Sequence, residues 1–515
     1  MVPWQKEQAL GADKQDDTPE TRQRRSSALA VGAATLFASG LFRQGLSLVT
    51  LAVTARLLTP EDFGVVAYFL IAVMFLEMLQ RQITMVLIRL EDVTGDHLAT
   101  VFTLQIGLGL CCALFFLGTQ PLVALLEIPA LVALMPYLSL LALVVAIRSP
   151  RFLLFERGLR FGYAATEETA SRIVYSVTAI FLAWLWRDYW SIVAASFLAQ
   201  ATRGVVTFGA APMMPRLTIS HWRDSFSFSA WSIGAQLAQF FYKNVPQMMI
   251  GAVLGLADAG LFRLGNRLTT LVTAQLGAPM LRVFYPGLAD VARNSERKKA
   301  VFSKLNELTL GVVLPLSVGM ALIATDLIQF GFGSQWLAAA QVIWILAPLR
   351  ALEAINENVR AATYVEGSTR ILCVRNGILL VAICGFMWIG LQFGFLGALI
   401  AAGISSVAAV VLTLVMSLRF GTGGFFKPLT VAWRSFLACG AMASAVLALD
   451  WAVAPGHGTA LAAQLLVAKI GLGMIVYIAA HLLIWRAAGR PDGFESLILS
   501  LLGRFRGHLK RRRLS

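Results

Sequence analysis

Arg43, Arg203 and Lys243 stand in the middle of long apolar runs, and none has an opposite charge one helical turn away on its own run. A charge at the centre of a membrane helix costs roughly 2.5–3.5 kcal/mol on insertion scales, so such residues face a bundle interior or a wet cavity. Cations gathered in a cavity bind anions, and the planar guanidinium fork matches phosphate well. Arg350, in "LRALEAINENVR", and Lys469 also lie within apolar runs. Arg43, Arg203, Lys243, Arg350 and Lys469 are therefore the candidate residues for an anionic substrate.

Other intramembrane charges have simpler readings. Glu77 and Arg81 are four residues apart, as are Glu168 and Arg172, next to Glu167. Glu353 and Glu357 each lie three residues from an arginine, Arg350 and Arg360. Pairs at these spacings meet on one helix face. Arg267 and Arg282 fall near the ends of their run and are expected to snorkel to the surface. The chain has no P-loop, no HExxH and no GxSxG elbow with plausible partners. The five histidines are scattered, and Cys111, Cys112, Cys373, Cys384 and Cys439 lie in apolar segments without metal-ligand spacing. No cofactor or metal is expected, and nothing points to an enzyme.

The elements that must position these residues are membrane helices. Of 515 residues 58% are hydrophobic and only 14% charged, where soluble domains run near a quarter charged. The apolar runs are about 20 residues long, enough to cross the hydrocarbon core. About 14 are legible, near 29–57, 63–88, 99–119, 129–149, 163–186, 189–213, 226–252, 262–287, 307–330, 337–362, 371–392, 395–418, 432–451 and 459–485. They are continuous rather than alternating, which favours helices over a barrel. Prolines inside several runs (Pro136, Pro246, Pro279, Pro315, Pro348) suit kinked helices around a cavity.

Charge orients the bundle. The net charge is +15, and with the N-terminus in the cytoplasm almost all loop arginines and lysines fall on that side. Both termini are then cytoplasmic: a polar tail, 1–27, expected to be disordered, and a basic tail, 488–515, read as topogenic or lipid-touching rather than nucleic-acid-binding. Every connection is short, the longest being 288–306, so function is expected within the bundle or at its faces.

The bundle reads as a doubled unit. "LLTPEDFG" at 57–64 is matched by "VLGLADAG" at 253–260: Leu58 with Leu254, Asp62 with Asp258, Gly64 with Gly260. Each stretch joins an outward-going span to an inward-going one. Six spans separate the copies, which predicts a parallel repeat, a known transporter design. Thr59 caps a helix, Pro60 opens it and Asp62 completes a capping box. Gly64 and Gly260 allow close helix approach. Thr59, Asp62, Gly64, Asp258 and Gly260 are thus candidate turn and gate residues. The organisation predicted is an N-lobe at 28–214, a C-lobe at 215–420 and two further helices within 421–487.

These residues carry a family likeness. "ARLLTPEDFGVVAYFL" followed by "LIRLEDVTGDHLATVFTLQ" resembles the N-terminal signature of the polysaccharide transporter family, the Wzx-type oligosaccharide flippases. "MMIGAVLGLADAGLFRLGNRL", "PMLRVFYPGLADV" and "FGSQWLAAAQVIWILAP" resemble later segments of the same family. The likeness implies the multidrug/oligosaccharidyl-lipid/polysaccharide superfamily: two six-helix lobes around a central cavity, with two extra helices. It further implies ion-coupled alternating access carrying an undecaprenyl-pyrophosphate-linked oligosaccharide from the cytoplasmic to the periplasmic leaflet of a bacterial inner membrane. A polysaccharide polymerase and a chain-length regulator would be its partners. Family members often hold an acid in the seventh helix about five residues before an "IG" glycine. Here Pro246 takes that place before Gly251, so coupling by proton or sodium would fall to Glu77, Glu168 or Glu353. The alternatives are a multidrug or metabolite exporter of the same superfamily, disfavoured by a basic interior, and a membrane glycan ligase or polymerase, disfavoured by short loops.

Overall fold

The computed structural model describes residues 19–490 except 91, 126, 159, 215, 221–229, 272–294, 366–368, 421–423 and 453–458. Most of both expected tails therefore lies outside the described residues, as do Pro279, Arg282 and the "PMLRVFYPGLADV" stretch. Every regular element described is helical.

The first half contains α1 (Pro19–Leu57), α2 (Pro60–Thr84), α3 (Gly95–Ala124), α4 (Pro129–Ala146), α5 (Phe161–Trp186) and α6 (Trp190–Ala210). The second contains α7 (Ala230–Val253), α8 (256–271), α9 (Ser295–Leu322), α10 (Ala339–Glu353), α11 (Thr369–Gly390) and α12 (Gly394–Ser417). α13 (Trp433–Ala452) and α14 (Thr459–Ala487) follow. Among the described residues, nine helical stretches are long and apolar enough to cross a membrane, one of them being the α11–α12 pair. The chain is a polytopic helical bundle.

The packing repeats with a shift of six helices. α1 packs on α5, α5 on α6, α3 on α4, and α6 on α4. In the same way α7 packs on α11, α11 on α12, α9 on α10, and α12 on α10. Two pseudo-symmetric six-helix lobes result. The N-lobe core gathers Phe69, Leu134, Leu138 and Leu141, and its C-lobe counterpart Ile250, Phe262, Leu346 and Met387. α13 and α14 pack on each other, and α13 lies along α9.

Helix boundaries differ from the apolar runs where polar sequence continues a helix. α1 begins at Pro19, so 19–27 extend the first helix instead of belonging to the tail. α8 begins at 256, before the expected 262. α9 begins at Ser295, inside the expected 288–306 connection. "SERKKAVFSKLNEL" is polar yet rich in good helix formers, and hydropathy sees only the first property. The expected ninth span also breaks: α9 ends at Leu322, and Ala324–Gly331 forms a separate short helix followed by a 3₁₀ turn, Ser334–Trp336.

Candidate functional site

The two copies of the repeated turn meet. At the first, Thr59 caps α2 with a complete capping box: its amide donates to Asp62 Oδ2 at 2.9 Å, and the Asp62 amide donates to Thr59 Oγ1 at 3.2 Å. At the second, Gly255 adopts φ +105°, a conformation open to glycine and strained for other residues. Past these turns the helices touch reciprocally. A Cβ on Gly64 would fall 2.0 Å from the Leu256 carbonyl oxygen, and one on Gly260 would fall 1.9 Å from that of Pro60. Gly64 and Gly260 thus form the contact between the lobes at one end of the bundle, with Thr59, Asp62 and Asp258 in the same turns and first helical turns beside it.

The segment between α9 and α10 clips the same end. Trp336, fully buried, donates from Nε1 to the Ala55 carbonyl at 2.8 Å and meets Phe63 edge-on at 4.8 Å. Gln335 donates to Ala55 and Leu58 carbonyls at the end of α1. Arg56 donates to the carbonyls of Phe330 and Gly331. A second seam joins α2 to α7: Tyr68 donates to the Met248 carbonyl at 2.6 Å, Gln236 to Gln82 at 3.1 Å, and Phe75 packs against Phe240 and Phe241. These seal residues escaped the sequence reading because their partners lie up to 281 residues away.

Between the lobes lies a cavity of about 690 Å³. α1 lines it with Gln44, Ser47, Thr50 and Thr54, and α7 with Gln236, Gln239, Lys243 and Gln247. These recur at three- and four-residue spacing, one polar face on each helix. α5 contributes Arg172 and Tyr175, and α8 contributes Arg263, Asn266 and Arg267. Four cations, Arg172, Lys243, Arg263 and Arg267, therefore line the cavity, and no carboxylate does among the described residues. None of the four makes an ion pair with a described residue. Arg267 donates to Ser47 Oγ at 3.3 Å and Arg172 sits over the Tyr175 ring at 5.0 Å. Arg172 Nε and Asn266 Oδ1 are buried without a hydrogen-bond partner. Such groups are costly to leave unpaired: the Arg172 N–H is suited to receive an anion, and the Asn266 oxygen a hydroxyl or amide donor.

Of the candidates named from sequence, Lys243 alone lines this cavity. Arg43 and Arg203 line an adjoining N-lobe pocket of about 370 Å³, but both are neutralised. Arg43 pairs with Glu168 at 2.7 Å; Arg203 pairs with Glu77 at 3.0 Å and Glu167 at 3.4 Å. Arg148 is a further neighbour of Glu77, at 3.7 Å. The expected pairs Glu77–Arg81 and Glu168–Arg172 are thus replaced by pairs between helices. Arg350 pairs with Glu353 at 2.7 Å, as its spacing predicts, and neither lines either cavity. Lys469 is buried between Asp326 and Asp450, also away from both. Arg267, expected to snorkel, instead lines the cavity together with Arg263. The overlooked signal was the polar face Arg263–Asn266–Arg267–Thr270, spaced three, four and seven residues from its first member.

Comparison with known proteins places this architecture. A profile of the polysaccharide biosynthesis protein family matches residues 53–341, more than half the chain. The succinoglycan biosynthesis transport protein ExoT of Rhizobium meliloti (strain 1021) is 28% identical over 323 residues, covering 62% of this chain. The lipopolysaccharide biosynthesis protein WzxC of Escherichia coli (strain K12) is 22% identical over 321 residues, covering 61% of it. Each match spans 65% of the relative's own length. Among solved structures, the lipid II flippase MurJ in an inward closed conformation superposes with a TM-score of 0.69 at 14% identity, covering 88% of this chain and all of that one. An inward-facing MATE family multidrug resistance transporter of the MOP superfamily gives 0.52 at 16% identity, covering 76% and 94%. At such identities the likeness is one of fold.

Proposed function

The chain belongs to the polysaccharide biosynthesis protein family, and from that premise we propose that it is a flippase rather than an enzyme. It carries an undecaprenyl-pyrophosphate-linked oligosaccharide from the cytoplasmic to the periplasmic leaflet of the inner membrane, for surface polysaccharide assembly. The observation that carries this reading is the central cavity with four cations and no lining carboxylate among the described residues. A diphosphate diester brings two negative charges, and in a site shielded from bulk water charge-assisted bonds to guanidinium are strong. A drug exporter for cationic compounds would need the opposite charge.

Arg172, Lys243, Arg263 and Arg267 hold the diphosphate. Arg43 and Arg203, bound to carboxylates, stand beside it, while Arg350 and Lys469 serve packing. The glycine contact and the Trp336 clip form the outer gate, closed here. Alternating access then requires these contacts to part as the opposite end closes. A ligand shifts that equilibrium only through different affinities for the two states. A proton or sodium ion taken up at Glu77 or Glu168, which line the N-lobe pocket, supplies part of that difference; Glu353 lines neither cavity and is held by Arg350. The test is a proteoliposome assay with a fluorescent lipid-linked oligosaccharide. Wild-type protein moves it between leaflets without covalent change, and Arg263→Ala/Arg267→Ala slows movement at least tenfold. Wild-type transport by the double variant overturns the assignment.

A further inference from the structure

We propose that the N-lobe pocket beside the central cavity is a subsite for neutral sugar residues, so that diphosphate and glycan are read by two different chemistries. This deepens the proposed function and rests on the central cavity holding the diphosphate.

The two spaces are distinct in character. At about 370 Å³ the N-lobe pocket lies within the range of small-molecule sites, roughly 300–1,000 Å³. Apart from Arg267 it is built entirely from α1, α2, α5 and α6. Of the four cations that line it, Arg172 and Arg267 lie on the wall shared with the central cavity; the other two, Arg43 and Arg203, face its two carboxylates, Glu168 and Glu77, within 3.0 Å. With Arg172 and Arg267 engaged by the diphosphate, a second anion entering there would have to displace a carboxylate from Arg43 or Arg203. A polyol need not, because each hydroxyl both donates and accepts.

The open valences fit that ligand. Glu168 engages Arg43 through Oε2, and Glu77 engages Arg203 and Gln200 through Oε1. The second oxygen of each carboxylate accepts nothing from the described residues. An ionised carboxylate oxygen only accepts, and sugar hydroxyls are ready donors. The Tyr175 hydroxyl, on the wall shared with the central cavity, has no hydrogen-bond partner among the described residues either. Position supplies the last argument. In a lipid-linked glycan the first sugar is bonded directly to the diphosphate, so its site must adjoin the diphosphate site. Ser47, Arg172, Tyr175 and Arg267 line both spaces and form their common boundary.

The experiment measures binding to the full chain in lipid nanodiscs by native mass spectrometry, with three probes: a polyprenyl diphosphate, the same lipid bearing one neutral hexose, and the same lipid bearing one uronic acid. Wild-type protein is expected to hold the hexose lipid at least tenfold tighter than the bare lipid, and tighter than the uronate. Ala199→Leu, which fills the pocket, should cut the hexose preference below threefold. Glu168→Gln, which keeps the shape but frees Arg43 of its counter-charge, should reverse the order of hexose and uronate. Equal binding of bare and hexose lipids by wild type, or an undiminished preference in both variants, overturns the subsite while leaving the diphosphate reading standing. Failure of Arg263→Ala to weaken all three probes overturns the diphosphate reading and the subsite with it.

Discussion

Gly260→Ala tests the gate most directly. The added Cβ would stand 1.9 Å from the Pro60 carbonyl oxygen, 2.9 Å from its carbon and 3.1 Å from the Gly64 amide nitrogen. Ordinary contact begins near 3.4 Å, so the α2 turn must retreat by about 1.5 Å. The obstacle is backbone, which cannot rotate aside as a flexible side chain could. Overpacking of this kind costs about 1–3 kcal/mol. The clash exists only while the lobes touch at this end, so the cost falls on the closed gate and not on the open one. At 1.4 kcal/mol per decade, the ratio of closed to open should drop about 5- to 150-fold. The assay is labelling of Val66→Cys, which lines the central cavity, by a membrane-impermeant maleimide added from the periplasmic side of a cysteine-free background. Gly260→Ala should raise the labelling rate at least fivefold. Gly45→Ala, whose Cβ would meet nothing within 4 Å, is the control and should leave it unchanged. Equal labelling of the two variants would show that the glycine contact does not hold the gate.

Three further outcomes are expected. Arg263→Ala and Arg267→Ala each remove charge-assisted bonds worth about 1.5–3 kcal/mol, so each should weaken binding of a polyprenyl diphosphate about 10- to 150-fold in a nanodisc assay. Trp336→Phe keeps the ring against Phe63 but loses the bond to Ala55; a cost of about 0.5–1.5 kcal/mol should appear as a smaller rise in Val66→Cys labelling than Gly260→Ala produces. Lys469→Met leaves Asp326 and Asp450 without their shared counter-charge and should lower Tm in detergent, with Asp326→Asn/Asp450→Asn added to it restoring most of the loss.

Much of the fold was written locally. Run length and continuity specify membrane helices because the solvent they must match is a slab of fixed thickness. The Thr59–Asp62 cap and the repeated glycine are legible because capping and close approach depend on residue type at a fixed spacing. The Arg350–Glu353 pair was readable for the same reason, being one turn apart on one helix.

Which cations remain available for a ligand was not written locally. Arg43 and Arg203 looked solitary on their own helices, yet the packing of α1 on α5 and the approach of α2 to α6 bring Glu168 and Glu77 to them. Arg172 lost its expected partner to Arg43 and was left facing the cavity. Arg267 looked like a residue near a helix end, yet the packed lobes place it with Arg263 on the cavity wall. Charge is a property of single residues, and sequence shows where it sits; neutralisation is a property of pairs across helices, decided only when tertiary packing fixes who stands opposite whom.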